Sequence, residues 1–378
     1  MRKNKKIKQK TISSISLIPF MILFALIVLS ILLIFFKENN KEDKTIYEGR
    51  PKVAAVLIEN GIQNEANAIY VANNADFILI NDYDKIYIPL IRSINPTIKV
   101  FIYKYSGVTK DAPMHSCADY SYVISNHPEW LLHDSNGRAV TAIFSEWSEE
   151  HSYVGNYFND EYVTYSAQAC AKSVENIDID GVFIDWLPAE LDWYFPNGLK
   201  EIDKNQLRKG VKKYLKEAKS SINSKGLTLI ANFAGILQMN AFEEYLPYVD
   251  GYVEEFFVNE YTDNKYLSND LVKRQLALIN PKMTILLQSR TPDENTFNYI
   301  YSIYLMKYYN DTYFGSIDAL YNFESFVNFV NNKKNFDRLG KPLFYYSEEY
   351  PILKREFENG IVWVNMESKT SGVSWKSK

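Results

Sequence analysis

The chain has 378 residues, 47% of them hydrophobic and 15% aromatic, with 15 Gly and 13 Pro, which excludes fibrous and disordered readings and supplies a sizeable core. Its net charge of −4 hides a split: residues 1–50 carry 10 Lys and Arg against 4 Asp and Glu, leaving 32 against 42, a net of −10, in the remaining 328. That acidic body excludes nucleic acid and anionic membrane surfaces as its partners, because both demand clustered basic residues. The 29 Tyr, 22 Phe and 6 Trp suit a cleft for polar, ring-shaped ligands as well as a core. Cys117 and Cys170 are too few for a disulfide framework or a four-thiolate zinc site and form at most one bridge.

Residues 17–36 form a 20-residue run without charge, long enough at about 1.5 Å per residue for the roughly 30 Å hydrocarbon layer. Arg2, Lys3, Lys5, Lys6, Lys8 and Lys10 precede it with no acidic residue, so positive-inside bias keeps residues 1–16 in the cytoplasm and sends the rest outward. The expectation is a single-pass signal anchor in the cell membrane, with the lipid bilayer as partner and residues 37–50 as a polar juxtamembrane linker. A cleaved signal peptide is the alternative. Its core would be shorter, and Leu33, Ile34, Phe35, Phe36 and Lys37 contain no small-x-small cleavage pattern.

From residue 51 the pattern changes to short β-rich runs separated by amphipathic stretches. Runs over residues 53–58, 77–80, 100–105, 181–184, 227–231, 251–253, 284–287 and 317–320 read as strands, eight in all. Between them, residues 203–223 and 271–279 carry helical spacing, the first through Leu207, Val211, Leu215 and Ala218. Apolar strands with helical connections mean a parallel sheet covered on both faces, and eight of them predict closure as an α/β (β/α)8 TIM-type barrel over residues 51–340. An open doubly wound sheet is the alternative, but Glu59, Asn60, Gly61 and Ile62 stand where its Gly-rich phosphate loop would follow the first strand. The last residues, 341–378, hold alternating runs at 343–346 and 360–365 and read as a small β extension packed on the barrel.

Residues 106–180 are longer than one helical connection needs and hold His115, His127, His133 and His151, with Trp130 and Trp147. Such an insertion lies over the carboxyl ends of the strands and supplies a cleft wall. The histidine spacings match no ligand pair, so no metal and no cofactor are expected.

The chemical signals are two Asp-Gly runs that end in acid. In Asp180-Gly181-Val182-Phe183-Ile184-Asp185-Trp186, alternation puts Asp185 on the same side as Gly181 and Phe183, at the barrel mouth. In Asp250-Gly251-Tyr252-Val253-Glu254-Glu255-Phe256, counting by two puts Glu255 inward and Glu254 toward the helices, with Glu254 as the alternative if the strand bends. Two inward carboxylates from nonadjacent strands are the minimal equipment for cleaving a glycosidic bond, one protonated and one ionised. Expected cleft-lining residues are Asn81 and Asp82 after the second strand, Tyr103 and Tyr105 after the third, and Trp147 and Trp186 as stacking rings. Asn232, Gln288, Arg290, Tyr321 and Asn322 complete the set from the later strands.

Further matching segments are FILIND (77–82), INPTIKVFIYKYSG (94–107), PEWLLHDSNG (128–137), VGN (154–156), DGVFIDW (180–186), DGYVEEF (250–256) and REFENGIVWVN (355–365). In this order they make the chain resemble the hypothetical glycoside hydrolases of the "family 15" type, barrels distantly similar to the endo-α-1,4-polygalactosaminidase family. The resemblance implies a (β/α)8 barrel with an Asp after the fourth strand and a Glu after the sixth, which are Asp185 and Glu255 here. It further implies Asp185 as nucleophile and Glu255 as acid/base. The expected protein is a membrane-anchored extracellular glycoside hydrolase acting on a polysaccharide or oligosaccharide, with a noncatalytic glycan-binding barrel or a cell-envelope scaffold as alternatives.

Overall fold

The computed structural model describes residues 49–59, 61–110, 115–141, 152–188, 202–233, 242–260 and 265–377, all within one compact unit spanning residues 47–378. The expected membrane segment, residues 17–36, lies outside the described residues. Among the described residues no helix is long and apolar enough to cross a membrane.

Eight strands close into a parallel barrel in chain order: β1 (Lys52–Leu57), β2 (Phe77–Ile80), β3 (Lys99–Tyr105), β4 (Gly181–Asp185), β5 (Thr228–Asn232), β6 (Gly251–Glu254), β7 (Thr284–Ser289) and β8 (Thr312–Ser316), which pairs back onto β1. Each strand is near-continuously buried because one face meets the barrel interior and the other meets helices. The interior is filled by alternate residues such as Phe77, Phe101, Phe183, Ile230, Val253 and Leu286, with the Phe77 and Phe101 rings stacked 4.8 Å apart. Full burial of a side chain of this size is worth about 1.5–3 kcal/mol. The outer layer includes α1 (Glu65–Asn74), α2 (Ile88–Ile94), α3 (Tyr120–Asn126), α4 (Asp160–Ser173), α5 (Lys204–Asn223), α6 (Phe242–Tyr245), α7 (Asn269–Leu278), α8 (Glu294–Met306) and α9 (Phe323–Lys333). In α5 the expected stripe of Leu207, Val211, Leu215 and Ala218 is buried, and Asp203 caps the helix by accepting from the Asn205 and Gln206 amides.

At the amino-terminal end of the barrel, one device recurs. Asp76, Asp180 and Asp250 each stand one residue before an even-numbered strand. Their carboxylates accept the N–H of Val53, Val100 and Leu229 at 2.9 Å, tying each odd strand to the next. The glycine that follows is forced in two cases, since a Cβ on Gly181 would lie 2.4 Å from the Thr228 carbonyl and one on Gly251 1.9 Å from that of Thr284.

Two sequence expectations are corrected. The eighth strand is Thr312–Ser316, and residues 317–320, read as that strand, form a 3-10 turn. The strand is hidden because it needs Gly315, where a Cβ would lie 2.7 Å from the Ala54 carbonyl oxygen of the strand that closes the barrel. Residues 343–345 are exposed, Tyr346 is half-buried against the core, and all four lie outside any strand. The extension is instead a four-stranded antiparallel sheet of β9 (Ser347–Glu349), β10 (Ile352–Glu356), β11 (Gly360–Asn365) and β12 (Thr370–Trp375). It packs on α8 through Leu353, Val362, Val364 and Met366, and Arg355 donates to the Leu305 carbonyl at 2.9 Å.

Within the insertion after β3, Cys117 and Cys170 form a disulfide that ties the loop to α4. A two-residue ladder pairs Val108–Thr109 with Ser152–Tyr153. His127 stacks on Trp130 at 3.8 Å.

Candidate active site

Interior alternation carries Phe183 to Asp185, Ile230 to Asn232 and Val253 to Glu255, so three polar side chains from neighbouring strands β4, β5 and β6 point into the carboxyl-end mouth of the barrel. Asn232 stands between the two acids and joins them. Its Nδ2 donates to Asp185 Oδ1 at 2.9 Å and its side chain also hydrogen-bonds Glu255. Tyr103, inward on β3, hydrogen-bonds Asp185 from the other side, and the Trp186 N–H donates to Asp185 Oδ1 at 2.8 Å.

Both acids are surrounded by protein on most sides while part of each stays open to solvent. Burial pushes the Asp185 carboxyl up to about 6, against the hydrogen bonds from Trp186, Asn232 and Tyr103 that favour its ionised form. Burial and then the Asp185 charge push Glu255 up to about 8. The pair is therefore split near neutral pH, with Asp185 ionised and Glu255 protonated.

Both strand ends are followed by strained backbone. Trp186 has φ of 59° and Val258 has φ of 72°, left-handed values that cost non-glycine residues on the order of 1–3 kcal/mol each. The surroundings hold them there. Ser106 Oγ donates to the Trp186 carbonyl at 2.7 Å, and Gln275, 2% exposed, accepts the Val258 N–H at 3.0 Å while donating to the Phe256 carbonyl at 2.7 Å.

The remaining expected residues divide. Glu254 points away from the mouth, 2% exposed, on the face of Tyr252. Tyr105 is buried, its hydroxyl donating to the Tyr153 carbonyl at 3.2 Å, and Gln288 is buried at the end of β7. Asn81 is buried and its amide holds the Ile58 carbonyl and the Tyr83 hydroxyl. Asp82 does not line an open cleft: it is buried in an ion pair with Lys104, whose side chain leaves β3 on the face opposite Tyr103. Arg290 faces Asp318 at 3.5 Å. Tyr321 lies beyond the 3-10 turn, 51% exposed, and Asn322 accepts the Glu324 N–H at 2.9 Å as the cap of α9, so neither extends from a strand end. Trp147 lies outside the described residues. Among the described residues no cluster of three His, Cys, Asp or Glu side chains is placed to hold a metal ion.

Sequence reading missed Glu59, which stands just past β1 and whose charge acts on both Asp185 and Tyr103. It also missed Tyr83, beside Glu59, and His115, whose ring lies 5.9 Å from that of Tyr83 and edge-on to Tyr103. Alternation along β1 turns Ala54, Val56 and Ile58 inward and Glu59 to the other face, so the count that found Asp185 and Glu255 carries no signal for Glu59.

A sequence model of the hypothetical glycosyl hydrolase family 15 matches residues 92–361, from α2 to β11. No curated protein matches the chain. Among solved structures, α-L-fucosidase isoenzyme 2 from Paenibacillus thiaminolyticus is similar at 13% identity and a TM-score of 0.50, over 76% of this chain and 49% of that one. The chain thus spans about half the length of that enzyme. A noncanonic maltogenic α-amylase from Thermotoga neapolitana is similar at 10% identity and a TM-score of 0.50, over 83% of this chain and 86% of that one. At such identities these likenesses speak for the barrel alone, whereas the family match covers most of the described unit: the chain belongs to the hypothetical glycosyl hydrolase family 15.

Proposed function

We propose that this protein is a membrane-anchored extracellular glycoside hydrolase that cleaves a polysaccharide with retention, Asp185 being the nucleophile and Glu255 the acid/base. The observation that carries it is the single Asn232 side-chain amide bonded to both acids. A side-chain amide that hydrogen-bonds both acids keeps them within reach of one glycosidic bond. Retention is the outcome for carboxyls about 5–5.5 Å apart, and inversion for those roughly 6.5–9.5 Å apart with a water between them.

In the first step the ionised Asp185 attacks the anomeric carbon while Glu255 gives its proton to the departing glycosidic oxygen, leaving a glycosyl ester on Asp185. In the second, Glu255 takes a proton from water, the hydroxyl oxygen bonds to the anomeric carbon, and the ester bond breaks to restore Asp185. Asp185→Asn and Glu255→Gln should each lose a thousandfold or more of turnover on a cleaved glycan while keeping the folded circular dichroism spectrum. Azide should rescue the first with inverted product and the second with retained product. Full activity of Asp185→Asn would remove Asp185 as the nucleophile.

The placement rests on the uncharged run 17–36 after a basic tail. The disulfide between Cys117 and Cys170 supports an oxidising compartment for the barrel. Protease added to intact cells should remove the chain from residue 51 onward and spare residues 1–16; a protected barrel would overturn the topology.

A further inference from the structure

We propose that Gln288 is a positioning residue for Glu255, its side-chain amide closing on the Glu255 carboxylate once that group has given up its proton. The proposal rests on the reading of Asp185 and Glu255 as the working pair. Its ground is a repeat in the register of the barrel. Ile184 on β4 pairs with Ala231 on β5, so the next step sets Asp185 level with Asn232, and there the amide donates to the acid at 2.9 Å. Glu254 on β6 pairs with Leu287 on β7, so the next step sets Glu255 level with Gln288. Each acid thus has an amide beside it on the following strand.

Alternation turns both members of the second pair inward. Val253 and Leu286 pair with each other inside the interior cluster, and Glu255 and Gln288 stand two residues beyond them. The layering of the barrel agrees. Inward residues of alternate strands share a level, and Tyr103 on β3, Asn232 on β5 and Gln288 on β7 form one such level, just beneath Asp185 and Glu255. Asp185 rises between Tyr103 and Asn232 and is bonded by both. Glu255 rises between Asn232 and Gln288 and is bonded by Asn232.

The Gln288 amide is left to complete the set. Gln288 is 2% exposed, and its Nε2 has no hydrogen-bond partner among the described residues. Its backbone is fixed, since its carbonyl accepts the Phe257 N–H at 3.0 Å. A buried amide donor left unspent is costly, and a neighbouring carboxyl that alternates between acid and carboxylate supplies the acceptor in one of its two states. When Glu255 passes its proton to the departing oxygen, the carboxylate left behind accepts from Asn232 and Gln288. When it takes a proton back from water, the Gln288 amide is released. The charged groups around Glu255 are Asp185 on β4 and Glu254 on its own strand, both acidic, while Arg290 beyond β7 faces Asp318 at 3.5 Å.

The test is site-resolved dicyclohexylcarbodiimide labelling of the detergent-solubilised full chain across pH, read by peptide mass spectrometry, since only the protonated carboxyl reacts. It reports the ionisation of Glu255 whether or not a glycan is cleaved, and so separates this proposal from the functional reading. In Gln288→Met, which keeps the side-chain length without the donor, the Glu255 midpoint should rise by about one pH unit. Gln288→Leu should move it in the same direction. A merely structural role gives the opposite sign, because a loosened mouth admits water and lowers the midpoint. Where a glycan is cleaved, the alkaline limb of kcat/KM should follow the same rise with the acid limb in place. A midpoint that stays in place or falls in either folded variant overturns the proposal and leaves the amide to a sugar hydroxyl.

Discussion

Tyr103 and Glu59 act on one carboxylate with opposite sign. The Tyr103 hydroxyl donates to Asp185 and favours its ionised form, whereas the Glu59 charge disfavours it. Activity by the proposed mechanism needs Asp185 ionised and Glu255 protonated. It should therefore rise as pH increases through about 6 and fall through about 8, a bell in kcat/KM between the two carboxyls. Tyr103→Phe removes the stabilising donor, so its acid limb should move up in pH, with kcat reduced about tenfold. A pH–rate series on this variant checks the direction, and an unmoved acid limb would remove the hydroxyl from the mechanism. The left-handed backbone at Trp186, whose N–H donates to Asp185, belongs to this scale too.

At the scale of the element, the two Asp-Gly runs hold two functions at opposite ends of one strand. Asp180 opens β4 at the stable end of the barrel and Asp185 closes it at the mouth, and the same holds for Asp250 and Glu255 around β6. Burial opposes ionisation of Asp180. Hydrogen bonds from Lys99, the Val100 amide and Arg92 outweigh it and hold the carboxyl below its usual range. A carboxyl depressed in the folded state contributes stability above its unfolded value, near 3.9, and that contribution is lost as pH falls through the folded value. Asp180→Ala should thus lower unfolding free energy in urea by about 1–3 kcal/mol at pH 7 and by less in acid, with kcat unchanged. An equal loss at pH 3 would show that the charge plays no part. The helices were more legible than the strands: α5 was readable to within a residue because apolar spacing and the Asp203 cap agree, whereas β8 depends on a glycine chosen by its neighbour strand.

Across the whole molecule, the barrel is braced at two places outside its own strands. The Cys117–Cys170 bond closes a stretch of 53 residues and fixes the loop next to His115 against α4. Removing such a link is expected to cost about 2–4 kcal/mol through freedom returned to the unfolded chain. Paired Cys117→Ser and Cys170→Ser changes should therefore lower the melting temperature, and reduction should do the same to the native chain; equal melting of oxidised and reduced protein would refute a stabilising role. The second brace is the carboxyl-terminal sheet, whose buried face covers α8 and brings in Arg355, with its guanidinium 5.0 Å from the Tyr308 ring.

The sequence alone determined the barrel class, seven of its eight strands and the inward count that carries Asp185 and Glu255, because buried strands and side-chain alternation are local patterns with period two. What it could not determine depends on residues far apart in the chain. Asn81, Asp82 and Arg290 sit at strand ends or just past them, yet their partners are Ile58, Lys104 and Asp318, which folding alone brings near.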